Sequence, residues 1–156
     1  MAKSGEKWRV IKNMFIGQYE HSIDEKGRLA FPAKFRKDLQ AGAVVTKGLD
    51  GCLFVFPKAK FKQMADSISR LPYTKSAARL YSRLILSNAG EIEFDKQGRV
   101  HIPPYLKSHA KLKKTAVICG LYDRIEIWSD KNWEEVSRKV SQEAGEVVEE
   151  LSAIEI

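Results

Sequence analysis

Cysteine is nearly absent from this chain of 156 residues: Cys52 and Cys119 are the two it has. They lie far apart inside the apolar runs "CLFVF" and "AVICG", without metal-ligand spacing. A disulfide scaffold needs more of them, so both are expected as buried, reduced core thiols. Histidine is scarce too, and His21, His101 and His109 show no metal spacing. No apolar run approaches the roughly 18 residues of a membrane span. The basic N-terminus, "MAKSGEKWRVIKN", lacks the apolar core of a signal peptide. G-x-S-x-G, G-x-x-x-x-G-K-[ST] and H-E-x-x-H do not occur, which removes the usual signatures of enzyme chemistry. The expectation is a cytosolic protein with no catalytic, metal or cofactor site, no membrane partner and no small-molecule substrate.

Acidic residues are also in short supply, and unevenly so. The net charge is +7, but residues 1–90 hold 17 Lys/Arg against 7 Asp/Glu, while residues 91–156 hold 10 against 13. The last seventeen residues carry five Glu and no base. A basic body with an acidic tail suggests a polyanionic partner, with the tail kept away from it.

What the sequence does have is a repeat. Residues 24–36 read "DEKGRLAFPAKFR" and residues 95–107 read "DKQGRVHIPPYLK". Asp24, Gly27, Arg28 and Pro32 match Asp95, Gly98, Arg99 and Pro103 at an offset of 71. One residue out of step, Val44–Thr46 then matches Ala116–Ile118, Leu53–Phe56 matches Ile125–Trp128, and Phe61 matches Trp133. Two copies are too few for a solenoid. They suit a pseudo-dimer, two similar halves pairing within one chain.

Each half predicts the same elements. A short strand ("GQYEHSI", "GEIEF") enters a turn, "DEKG" or "DKQG". Asp accepts backbone N–H bonds at the first turn position and Gly takes a positive φ at the last, the signature of a short hairpin loop. In the next strand, alternation puts Leu29 and Phe31, or Val100 and Ile102, on one face, and Arg28 and Ala30, or Arg99 and His101, on the other. Pro32 and Pro103 end these strands and open short helices, with Phe35 and Leu39 facing inward and Gly42 past the end. The strands "AVVT" and "CLFVF" follow, then a helix with the apolar stripe Phe61, Met64, Ala65 and Ile68. Its counterpart starts after Ser129, an N-cap residue, and shows Trp133, Val136 and Val140. An extra helix near residues 75–88 has Ala77, Leu80, Tyr81 and Leu84 on one face, with Lys75, Arg79 and Arg83 opposite.

Turn chemistry accounts for the repeated Asp and Gly. It does not account for an arginine opening both second strands. Arg28 and Arg99 each have a planar fork and permanent charge suited to phosphate or a guanine edge. Lys26, Lys96, Lys34 and Arg36 add positive charge nearby, as do Lys37, Lys107, Lys111, Lys113 and Lys114. The competing reading makes Asp24–Arg28 and Asp95–Arg99 internal salt bridges that pin the turns.

The segment "MFIGQYEHSIDEKGRLAFPAKFR", the second copy "DKQGRVHIPPYLK" and the intervening "ARLYSRLILSNA" resemble the MraZ family over roughly residues 14–140. The resemblance implies an α+β fold: a β-rich, barrel-like core of two tandem AbrB/SpoVT-like swapped-hairpin halves, forming an intrachain pseudo-dimer with short helices. It implies a DNA-binding regulator of the division and cell-wall gene cluster, acting at the nucleoid as a homo-oligomeric ring on repeated boxes upstream of its own operon. It places the DNA contact at Asp24 to Arg28 and Asp95 to Arg99. The organisation expected is a disordered N-terminal extension over 1–13, halves over 14–86 and 87–140, and an acidic tail over 141–156. The family usually begins at a Met like Met14, and Pro103, Pro104 and Tyr105 stand where the first half has Pro32, Ala33 and Lys34. The two hairpins are therefore not expected to contribute equally. The other class of function in view is an AbrB-type antitoxin that binds both DNA and a toxin.

Overall fold

The computed structural model describes residues 14–154; the expected N-terminal extension, residues 1–13, lies outside them. Eight strands and five helices occur among the described residues. They are β1 (Phe15–Ser22), β2 (Arg28–Ala30), α1 (Ala33–Leu39), β3 (Ala43–Lys47), β4 (Leu53–Pro57), α2 (Lys58–Ser69), α3 (Ser76–Leu86), β5 (Gly90–Ile92), β6 (Arg99–His101), α4 (Pro104–His109), β7 (Thr115–Tyr122), β8 (Ile125–Ser129) and α5 (Asp130–Ser152). The fold is α+β and its sheets are antiparallel, with six strands in the order β1-β7-β8-β4-β3-β5 and two in β2-β6.

The pairing explains why the chain repeats itself. Under the repeat, Leu29 corresponds to Val100 and Phe54 to Glu126. Leu29 pairs directly with Val100 in the small sheet, and Phe54 with Glu126 in the large one. An approximate two-fold axis therefore passes through both pairs, as it would between the subunits of a symmetric dimer. The halves differ at the sheet edges, where β1 pairs with β7 over eight residues and β5 with β3 over three.

One expectation needs correction. The turn signals predict that each first strand folds back on its own second strand. Instead β2 pairs with β6 across the axis, and a single bridge, Ile23 to Leu29, links it to the chain before its own turn. The local chemistry of the turn is as expected, since Gly27 and Gly98 both have φ near +77°. What differs is the partner. Pairing across the axis buries Leu29 and Val100 completely and covers Phe31 and Ile102. Each such side chain removed from water contributes about 1.5–3 kcal/mol, and that decides the topology.

The main core lies between these small strands, α1, α4 and one face of the large sheet, with Phe15, Phe35, Leu39, Leu106, Ile118 and Ile127 inside it. Phe35 and Leu39 are buried as the helical spacing predicts. A second cluster packs Phe54, Phe56 and Trp128 on the other face against Ile68 of α2 and Ile85 of α3. Phe61, Met64 and Trp133 lean on that cluster, matching their predicted stripes. Cys52 and Cys119 are buried and free. Burial pushes the Cys119 thiol up to about 12 and Cys52 higher still, so neither is a thiolate at neutral pH.

Two helices differ from expectation. In α3 the buried positions are Ala78 and Ile85, with Tyr81 and Leu84 half-buried, whereas Ala77 and Leu80 are exposed. The apolar surface of this helix is wider than the core it meets. In α5, Ser129 caps the first turn by accepting from the Asn132 N–H at 3.1 Å, and Asp130 suits the positive end of the dipole. The helix then runs unbroken through residue 140 to Ser152, so most of the acidic tail is helical.

Candidate nucleic-acid interface

The two repeated turns are built from the same bonds. Asp24 Oδ1 accepts from the N–H of Lys26 at 3.0 Å and of Arg28 at 2.9 Å. Asp95 Oδ1 accepts from Gln97 and Arg99 at 2.9 Å each. Gly27 and Gly98 close the turns by donating to the carbonyls of Asp24 and Asp95 at 3.0 Å. Each turn is also tied to the opposite strand, because the Gly98 carbonyl accepts from Phe31 at 3.2 Å and the Gly27 carbonyl from Ile102 at 2.9 Å. The tips consequently sit side by side across the axis.

The second carboxylate oxygen of each Asp holds an arginine. Arg28 Nε donates to Asp24 Oδ2 at 2.6 Å, and Arg99 Nε to Asp95 Oδ2 at 3.0 Å. Arg99 Nη1 also reaches Asp24 Oδ2 at 3.4 Å, joining the two tips. The salt-bridge reading of the motif is therefore correct in geometry, yet it leaves the arginines usable. Their side chains are 34% and 26% exposed. The bonds to their own aspartates use Nε, so Arg28 keeps both Nη groups without a hydrogen bond among the described residues. A guanidinium held by one edge presents the other in a fixed direction, which lowers the ordering cost of a bidentate contact.

Backbone N–H donation, led by the N–H of Arg28 and of Arg99, holds both carboxyls below the usual range. A lowered carboxyl favours the folded turn above its unfolded pKa and loses that contribution as pH falls through its folded value. Both turns are thus fully set at neutral pH.

Around the tips the charge is positive. Lys26 and Lys96 are exposed in the turns. His101, which the register places opposite Arg28, is exposed on the same strand face. It belongs with the candidate residues, and the alternation that picks out Arg28 and Arg99 also picks it out. Arg36 is half-buried and lies over the turn of the other half: a Cβ added to Gly98 would fall 1.6 Å from its Nη1. Arg36 Nε is buried without a partner among the described residues. With Lys37, Lys96 and Asp95 it lines a cleft of about 370 Å³ beside the second tip. Lys34 stands apart, its ammonium 5.9 Å from the centre of the Tyr19 ring. In the second half Tyr105 takes that place, and its hydroxyl donates to the Asn88 carbonyl at 2.9 Å, tying α4 to the end of α3. The structure thus gathers Asp24, Arg28, Asp95, Arg99, Lys26, Lys96 and Arg36 on one surface, with Lys34 at its margin.

The family model described as "MraZ protein, putative antitoxin-like" matches the chain twice, over residues 14–84 and 85–151. The chain belongs to the MraZ family. Proteins named transcriptional regulator MraZ resemble it over most of their length. That of Heliobacterium modesticaldum is 47% identical over 138 residues, covering 88% of this chain and 96% of the relative. Those of Caldanaerobacter subterraneus subsp. tengcongensis and Lactobacillus delbrueckii subsp. bulgaricus are 46% and 43% identical over 143 residues, 92% of this chain and all of each relative. The two MraZ matches meet between α3 and β5, where the first copy of the repeat ends. No helix among the described residues is long and apolar enough to cross a membrane, and no group of three or more His, Cys, Asp or Glu among them is placed to hold a metal ion.

Proposed function

We propose that this MraZ-family protein is a sequence-specific, DNA-binding transcriptional regulator whose DNA contact is the paired turn surface. Residues 14–86 and 87–140 each supply one arginine, Arg28 and Arg99. Lys26, Lys96, Lys34 and Arg36 supply phosphate contacts, and Asp24 and Asp95 orient the guanidinium groups. The observation that carries this reading is the placing of two aspartate-held arginines side by side on an exposed, otherwise basic surface. Internal stability alone does not call for it, because exposed ion pairs contribute only about 0–1 kcal/mol. The names of the relatives point the same way.

One such surface offers few phosphate contacts, and tight binding to duplex DNA rests on several, each adding roughly −0.9 to the salt slope. Repetition supplies them. In this proposal several chains form a ring, and successive surfaces engage repeated boxes upstream of the operon, the division and cell-wall cluster, at the nucleoid. Linked weak contacts gain by effective concentration without any new contact type. Titration of upstream DNA, followed by fluorescence anisotropy, is expected to show occupancy collapsing when the boxes are cut to one. Equal affinity for one box and for several would reject the repeated-contact model.

Arg36 gives the two turns unequal roles. Alanine at Gly27 or Gly98 imposes the same backbone cost, about 1–2 kcal/mol for a side chain at left-handed φ, and similar shifts in thermal midpoint are expected. Only Gly98→Ala also displaces the Arg36 guanidinium. Its DNA affinity should fall further than that of Gly27→Ala; equal losses would remove Arg36 from the interface.

The family description and the apolar side of α5 favour a second reading, an antitoxin that binds DNA and a toxin. A toxin gene adjacent to this one, and a stable complex with its product, would decide for it.

A further inference from the structure

Two exposed surfaces in different parts of the chain have complementary composition. The first is the C-terminal half of α5. From Val140 the apolar residues fall at Ala144, Val147, Leu151 and Ile154, at spacings of four and three in turn. That is the heptad seam of a helix that packs against another helix. Trp133 and Val136 cover the start of α5 against the sheet, but residues 138–154 are all exposed. Val140 is 62% exposed and Ile154, just past the helix, 65%. Glu143, Glu146, Glu149 and Glu150 flank the seam, with no base between residues 141 and 154.

The second surface is the outer side of α3 with the turn before it. Tyr73, Ala77 and Leu80 follow one another at helical spacing and point to solvent, Tyr73 81% and Leu80 62% exposed. Ala77 and Leu80 are two of the residues that read as core from periodicity alone. Arg70, Lys75, Arg79 and Arg83 surround them, and residues 70–89 contain no acid. Here too an apolar stripe is bordered by four charges, now positive.

We infer that the C-terminal half of α5 docks on the α3 face of a second copy of this chain. Four glutamates then meet four bases, and the two apolar stripes cover each other. Pairing α5 with another α5 would instead bring like charges together. Within one molecule the surfaces do not meet, since both remain exposed. Because the joined patches differ, the contact is head-to-tail and repeats from copy to copy, closing into a ring where the rotation permits. The inference rests on the ring reading above and supplies its joint. It leaves the turn surface free, because neither patch contains a residue of the turns.

The test is the mass of the full chain by light scattering, with three charge variants. Arg79→Glu with Arg83→Glu, and Glu149→Lys with Glu150→Lys, should each reduce the assembly to single chains at a concentration where the parent is assembled. The four changes together should restore it. An uncharged variant, Leu80→Gln, should also release single chains. All five positions are exposed, so native circular dichroism is expected throughout. A parent that is already a single chain, variants that keep the parent's mass, or failure of the combined protein to reassemble would each overturn the inference. So would occupation of α5 by a different basic protein while the parent stays monomeric. Binding to a duplex with one box separates this from the functional reading: it should survive in every variant, and its absence in the assembled parent would count against DNA recognition alone.

Discussion

Replacing Arg28 and Arg99 with alanine is expected to remove most of the affinity for DNA while leaving the fold in place. A bidentate arginine contact to a base edge is worth about 1–3 kcal/mol, so each substitution should weaken binding by roughly ten- to a hundredfold. On the protein side little is lost. Each ion pair lies at the surface, with side chains between 26% and 36% exposed, where such pairs contribute about 0–1 kcal/mol. Binding isotherms and thermal melts on the same samples separate the two effects. The double variant should not be additive, because Arg99 also reaches Asp24 and a change at one tip is felt at the other. Arg28→Lys is the informative control: it keeps the charge but loses the fork, and should fall between parent and Arg28→Ala. Unfolding of Arg28→Ala, with DNA binding lost only in proportion, would return the arginines to a structural role. Unchanged affinity would place the DNA elsewhere.

These turns were also the most legible part of the molecule. An Asp that accepts two N–H bonds, and a Gly four residues into the segment with positive φ, are local requirements, and local requirements leave their mark in adjacent residues. The partner of β2 left no such mark. Nothing within "DEKGRLAF" says whether its second strand pairs with its own first strand or with β6. The answer depends on burying Leu29 against Val100, which is 71 residues away. The repeat was the only available hint. Arg36 was singled out for its charge, yet its seat over Gly98 is a contact between the helix of one half and the turn of the other, which periodicity does not carry. In α3 the apolar residues are spread too widely to say which of them face the core. The structure places Ala78 and Ile85 inward and leaves Ala77 and Leu80 in solvent. Composition gave the acidic C-terminus its charge but not its form, and its extension as part of α5 comes from the capped helix that precedes it.

Phe35→Ala should be the most destabilising of these changes to the chain. Phe35 is 1% exposed in the main core. Its ring makes edge-on contacts with Phe15 at 5.5 Å and Tyr19 at 5.3 Å between centroids. Alpha helix α1, with seven residues and no side-chain cap, is too short to persist by its own hydrogen bonds. Phe35 and Leu39 fasten it to β1, and a large-to-small change at such a site costs about 3–5 kcal/mol. A domain of this size has about 5–15 kcal/mol in total, so a large part of the stability would go. The denaturant midpoint should drop with little change in slope, the mark of lost stability rather than a changed unfolded state. Leu106 holds the corresponding place in the second half, fully buried. Leu106→Ala is expected to cost about 2–5 kcal/mol, without the aromatic contacts that Phe35 makes. Phe35→Leu should retain most of the stability, because it keeps the core filled. The DNA consequence follows from chain order: Arg36 is the next residue, and a loosened α1 lets its guanidinium leave Gly98. Where the variant is still folded, DNA affinity should fall beyond what the unfolded fraction explains. A stability loss under about 1 kcal/mol would mean that α1 is held by something other than the aromatic cluster around Phe35.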